Sequence, residues 1–127
     1  MTESALAGRR VMVVEDEVLV AMLIEDILAD EQCVVLGPYG DLDEALRAGE
    51  TEQMDMALLD MNLRGRLSLP LADLLARRGI PFLLLTGYGE AAGRMMTAKP
   101  HPWPICAKPF TSKGLVSAMA GLVPPVP

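Results

Sequence analysis

Five short stretches of the chain each hold an unbroken apolar run: RRVMVV (9–14), CVVLG (33–37), MALLD (56–60), PFLLLT (81–86) and ICAK (105–108). Runs of this length without alternation fit strands buried on both faces of a parallel sheet. Between them the apolar positions recur at helical spacing. Val20, Leu23, Ile24, Ile27 and Leu28 form such a stripe in 17–30, as do Leu71, Leu74 and Leu75 in 69–78, and Leu115, Ala118, Met119 and Leu122 in 111–123. A further helix over 41–49 opens on Asp41, a capping residue, with Glu44 at capping-box distance. Pro70 fits a first helical turn and Gly79 a helix end. Gly37-Pro38 closes the second strand, MNLRGRLS is a loop, GYGE a turn, and 90–98 a weak helix interrupted by Gly93. KPHPWP is a stiff loop, because proline fixes φ and cannot donate to a ladder.

Strands and helices therefore alternate, which predicts a doubly wound α/β domain with ligands outside the carboxyl ends of the strands. The 127 residues, 51% of them hydrophobic, fit one domain spanning 1–127, with a core over about 9–122 and flexible ends at 1–8 and 124–127. No output domain is expected beside it. A net charge of −6 repels phosphate backbones and argues against nucleic-acid binding. No apolar run reaches the roughly 20 residues of a membrane span, and MTESALAGRR lacks the architecture of a secretory signal. A cytoplasmic location follows as the expectation. Cys33 and Cys106 lie in apolar surroundings without metal-ligand spacing and read as small buried hydrophobes. The nine methionines read as core filler. His101, the sole histidine, reads as a loop residue.

The polar residues at the strand exits carry the chemistry. The first strand delivers Glu15 and Asp16, the third Asp60, the fourth Thr86, and the fifth Lys108 followed by Pro109. In a parallel sheet all of these meet on one edge. Neighbouring carboxylates raise each other's pKa unless a cation lies between them, and clustered carboxylates suit a hard divalent ion such as Mg²⁺ (or Mn²⁺). Such an ion binds phosphoryl oxygens and stabilises in-line transfer. Lys108 and Thr86 would engage further phosphoryl oxygens, and one carboxylate would act as the nucleophile.

In VVEDE, LLDMNLRG, LLLTG and AKPF, over residues 9–122, the chain resembles the receiver domain of two-component response regulators. The resemblance implies a flavodoxin-like five-stranded parallel sheet in the order 2-1-3-4-5. It also implies Asp60 as phosphoacceptor, Thr86 as the conserved hydroxyl and Lys108 as the phosphate-binding lysine before a cis Pro109. Asp16 and Asp60 would bind Mg²⁺ directly, with Glu15 acting through water and the Asn62 backbone carbonyl as a third protein ligand. The implied donor is a histidine kinase or phosphotransfer protein, and the chain would catalyse only its own phosphorylation and dephosphorylation.

PFLLLTGYGE is similar to a subgroup whose fourth strand ends in Phe-Ala-Thr-Gly-X-Tyr and which is fed by HWE-type kinases, although Leu84 and Leu85 stand at its Phe-Ala. A second departure is Ile105, where receivers carry a switching Tyr or Phe. Tyr88 or Trp103 would have to report the state instead, with Trp103 more readily explained as packing, and the segment 87–99 is the expected relay. Val18, Ala21 and Met22 read as an interface or as part of a widely buried helix.

Three other readings share parts of this pattern. A haloacid dehalogenase-type phosphatase needs a second carboxylate where Asn62 stands. A flavodoxin needs a hydroxyl- and glycine-rich loop where three acids stand. A receiver-like adaptor that is never phosphorylated would not need the complete residue set.

Overall fold

The computed structural model describes residues 5–87 and 103–123. Five parallel strands form the central sheet: β1 (Arg10–Val14), β2 (Val34–Tyr39), β3 (Met56–Asp60), β6 (Phe82–Thr86) and β7 (Ile105–Ala107), in the order β2-β1-β3-β6-β7. The intervening β4 (Asn62–Leu63) and β5 (Arg66–Leu67) pair only with each other. The helices are α1 (Val18–Asp30), α2 (Leu42–Thr51), α3 (Leu69–Arg77) and α4 (Ser112–Ala120). The sheet is thus doubly wound, as the strand pattern predicts, and has the flavodoxin-like strand order that the resemblance implies. No helix among the described residues is long and apolar enough to cross a membrane.

The sheet divides the core in two. On one face α2 and α3 pack Leu42, Ala45, Leu71 and Leu75 against Met12, Ala57, Leu59 and Leu84. On the other, α1 and α4 pack Ile24, Leu28, Leu115 and Met119 against Val11, Val13, Leu58 and Leu85. Every residue of β3 and β6 is buried, which explains the unbroken apolar runs: both sides of each strand need an apolar side chain.

Local chemistry sets the ends. The Asp41 side chain accepts from the Glu44 N–H and caps α2, and Thr111 does the same for α4 through the Gly114 N–H. Pro70 occupies the start of α3, and Gly79 follows its end at φ 74°. The peptide bonds before Pro38 and Pro109 are cis.

Four expectations need correction. First, β2 does not close at Gly37-Pro38 but continues to Tyr39 across an irregularity in its pairing with β1. Proline is tolerated because this is an edge strand. Gly37 lies at φ 100°, and an added Cβ would approach the Val13 carbonyl oxygen to 2.8 Å and the Tyr39 N to 2.9 Å. Gly37→Ala should therefore lower stability by about 2–3 kcal/mol, visible as a lowered denaturation midpoint; an unchanged midpoint would mean the bulge relaxes freely.

Second, residues 5–8 are not a free end. Leu6 is fully buried against the α1/α4 core, and the Gly8 N–H donates to the Gln32 carbonyl. Third, the α1 stripe holds at Ile24, Ile27 and Leu28, with Val20 packed beside them, but not at Leu23, in whose place Ala21 is buried. Ala21, Ile24, Ile27 and Leu28 are buried, whereas Val18, Leu19, Met22 and Leu23 are exposed. Wide burial explains Ala21 but not Val18 or Met22. Fourth, α4 ends at Ala120, short of residue 123. Trp103 packs edge-on against Phe82, with ring centroids 5.3 Å apart. The weak helix at 90–98, Tyr88 and His101 lie outside the described residues.

Candidate functional site

Parallel pairing brings the strand exits together. β1 and β6 flank β3, with Asp60 opposite Leu85, so Thr86 lies one step beyond Asp60 on the neighbouring strand. β7 is held to β6, where the Lys108 N–H donates to the Thr86 carbonyl at 2.7 Å. Glu15 is tied to β2 through its N–H and the Tyr39 carbonyl.

Lys108 reaches inward between two buried carboxylates. Its Nζ lies 2.9 Å from Glu15 Oε1 and 3.3 Å from Asp60 Oδ2. Glu15 and Asp60 are almost fully buried, while Asp16 is half-buried. Ligand atoms of Glu15, Asp16 and Asp60 all lie within 4.8 Å of one another. The Glu17 N–H donates to Glu15 Oε2 at 3.1 Å, and the Asn62 N–H to Asp60 Oδ1 at 3.2 Å. These residues open onto a cavity of about 280 Å³ lined by Asp16, Asp60, Asn62, Arg64 and Lys108.

The charges are unbalanced. Three carboxyl groups face the ammonium of Lys108 among the described residues. Burial, followed by the hydrogen bond and charge of Glu15, pushes the Asp60 carboxyl up to about 8, against the opposing pull of Lys108 and the Asn62 N–H. Burial alone would lower Lys108; the Glu15 hydrogen bond and the charges of Asp60 and Glu15 outweigh it and hold the ammonium above its usual value. A divalent cation among the three carboxylates would remove the repulsion that Asp60 otherwise relieves by keeping a proton. The donor set, all oxygen, fits a hard ion.

Thr86 is fully buried, and its Oγ1 has no hydrogen-bond partner among the described residues. Leaving a hydroxyl so costs about 1–3 kcal/mol, a cost that an acceptor entering the site would remove. Ile105, by contrast, is 39% exposed and contributes no polar group.

The structure thus gathers Glu15, Asp16, Asp60, Thr86 and Lys108 on one edge, with Asn62 at the cavity wall. Sequence reasoning missed the hairpin that roofs it. Arg64 and Gly65 form a two-residue turn between paired β4 and β5, both at positive φ (51° and 86°), as a type I′ turn requires. The Gly65 N–H donates to Asn62 Oδ1 at 2.7 Å, and the Arg64 N–H to Asp16 Oδ2 at 3.1 Å. The Arg-Gly pair before an apolar-flanked arginine is a weak form of the Asn-Gly signal for such turns. The cysteines are half-buried, and burial raises both thiols.

Residues 11–120 match the family described as the response regulator receiver domain. Among curated proteins, the chain is 27% identical over 116 residues to the transcriptional regulatory protein PdtaR of Mycobacterium tuberculosis, covering 91% of this chain and 57% of that protein. It is 30% identical to the phosphate regulon transcriptional regulatory protein PhoB of Klebsiella pneumoniae, covering 91% and 52%. The chain spans little more than half the length of these curated relatives. Among solved structures it resembles SdrG from Sphingomonas melonis Fr1, with 37% identity, a TM-score of 0.76, and coverage of 94% of this chain and 98% of that one.

Proposed function

This chain belongs to the response regulator receiver domain family, and from that premise we propose that it acts as a stand-alone receiver. In this reading it accepts a phosphoryl group on Asp60 in a Mg²⁺-dependent reaction and signals through phosphorylation-dependent protein contacts in the cytoplasm. The observation that carries the reading is the placement of Lys108 between two buried carboxylates, one of them Asp60, with Asp16 within reach of the same centre. The near-complete coverage of SdrG supports the stand-alone form.

An Asp60 carboxylate oxygen attacks the phosphorus of a phosphohistidine on a histidine kinase, of the HWE type, or on a phosphotransfer protein. The O–P bond forms as the P–N bond breaks, and the electron pair leaves with the imidazole nitrogen. Asp60 must first release the proton that its burial favours. Lys108 and the Thr86 hydroxyl then meet phosphoryl oxygens. Asp16 and Asp60 would hold Mg²⁺ directly, Glu15 through water, and Asn62 through its backbone carbonyl; the ion supplies positive charge to the transferring group. The chain catalyses this step and a slow hydrolysis, and no reaction on another substrate. A phosphatase reading is disfavoured by Asn62, whose side-chain oxygen accepts the Gly65 N–H and has no proton to give. A donor protein would dock beside the site, where Val20, Leu23, Pro109 and Phe110 line an apolar cleft of about 330 Å³ that Lys108 also borders.

The test is a small acyl phosphate with Mg²⁺, which should add one hydroxylamine-labile phosphoryl group. Absence of label would remove the proposal. The metal set is tested by calorimetric titration with Mg²⁺: Asp16→Ala should weaken binding more than about a hundredfold and Glu15→Ala about tenfold. If both variants bind like the parent, the acidic trio is not the metal site.

A further inference from the structure

The cavity over Asp60 has a second cation at its rim. Arg64 sits at the tip of the β4–β5 hairpin with φ 51°, a backbone region that residues with side chains seldom adopt. Its N–H bond to Asp16 Oδ2 holds it there. The guanidinium extends toward Gly40, where an added Cβ would lie 3.8 Å from Arg64 Nη2 and 3.5 Å from the Asp16 Cα. The other hairpin arginine, Arg66, is paired with Asp43 at 3.2 Å. The Arg64 guanidinium makes no ion pair or hydrogen bond among the described residues, and residue 64 lines the cavity together with Asp60 and Lys108.

The donors at hand are few. An ammonium has three N–H donors, and Lys108 already directs two at Glu15 and Asp60. Thr86 offers one hydroxyl. An incoming phosphoryl group brings three anionic oxygens into a pocket already rich in carboxylates. A guanidinium presents paired N–H donors in a planar fork suited to phosphate. We propose that Arg64 is a phosphoryl-recognition residue: its guanidinium, aimed by the strained hairpin turn, receives the oxygens of the phosphodonor at the cavity mouth and sets the affinity for anionic donors. This rests on Asp60 being the phosphoacceptor.

Labelling rates measured against acetyl phosphate concentration, together with binding of beryllofluoride in the presence of Mg²⁺, test it. Arg64→Ala should raise the acetyl phosphate concentration for half-maximal rate about tenfold and weaken beryllofluoride by a similar factor, with the maximal rate changed much less. Arg64→Lys should recover part of the loss. Mg²⁺ alone should bind Arg64→Ala as tightly as the parent, or more tightly, since a nearby cation is gone. Parent-like donor dependence and beryllofluoride affinity in Arg64→Ala would overturn the inference while leaving Asp60 in its role. So would a matching loss of Mg²⁺ affinity, which would mean that residue 64 acts only through the hairpin's hold on Asp16. A parent protein that takes no label on Asp60 would remove both readings together.

Discussion

Asp60→Asn should reduce phosphorylation to background and, in the metal-free protein, make the fold more stable at pH 8 than the parent. The first effect follows from the nucleophile: an amide oxygen does not attack phosphorus as a carboxylate does. The second follows from burial. The Asp60 carboxyl is pushed from its ordinary value up to about 8, by desolvation first and by Glu15 next. A group raised in the folded state stabilises fully below its unfolded pKa of about 4, and that stability is lost as pH rises toward 8. Asparagine carries no charge to desolvate, so this part of the pH dependence disappears. Chemical denaturation in chelator should show the variant level with the parent at pH 4 and increasingly ahead of it as pH rises to 8. A gap that does not widen with pH would contradict the charge balance described for the site, and full labelling of the variant would contradict the role of Asp60.

Lys108→Met should have the opposite effect on stability. The methionine keeps most of the apolar stem but removes the ammonium that touches Glu15 and Asp60. Two buried carboxylates then face each other without a counter-charge. Breaking a buried pair by removing one partner costs about 3–5 kcal/mol, and retention of a proton by the acids reduces that toward about 2 kcal/mol below neutral pH. The loss should therefore be greater at pH 8 than at pH 5, and Mg²⁺ should restore part of it. Phosphorylation should fall as well, because a phosphoryl oxygen loses its cation. Stability equal to the parent at both pH values would show that Lys108 is not the counter-charge of the pair.

Strands buried on both faces announce themselves in sequence, and β3 and β6 lie within a residue of their apolar runs. The strand-exit residues were legible for the same reason: once five parallel strands are accepted, position in sequence fixes position on the edge. What stayed hidden depends on contacts that no local pattern encodes. The first two turns of α1 are apolar on every side, so periodicity could not choose between Leu23, which is exposed, and Ala21, which is buried. β4 and β5 are two residues each, too short for any alternation to register. Leu6 precedes the first strand by a turn, and only its packing against the α1/α4 side assigns it to the core. The Arg64 N–H bond to Asp16 joins residues 48 apart through a backbone atom, which side-chain chemistry cannot foretell.

The division of the interior by the sheet has a consequence for how such a chain can change over generations. Leu58 and Leu59 are neighbours in sequence yet serve opposite compartments, one shared with α1 and α4, the other with α2 and α3. A substitution on one side is repaired most readily by a second on that same side, because the side chains it disturbs do not pass through the sheet. Either half can therefore be repacked while the other keeps its own side chains. Asp60 ends β3, the strand that both compartments share, so repacking on either side leaves the position of its backbone to the sheet.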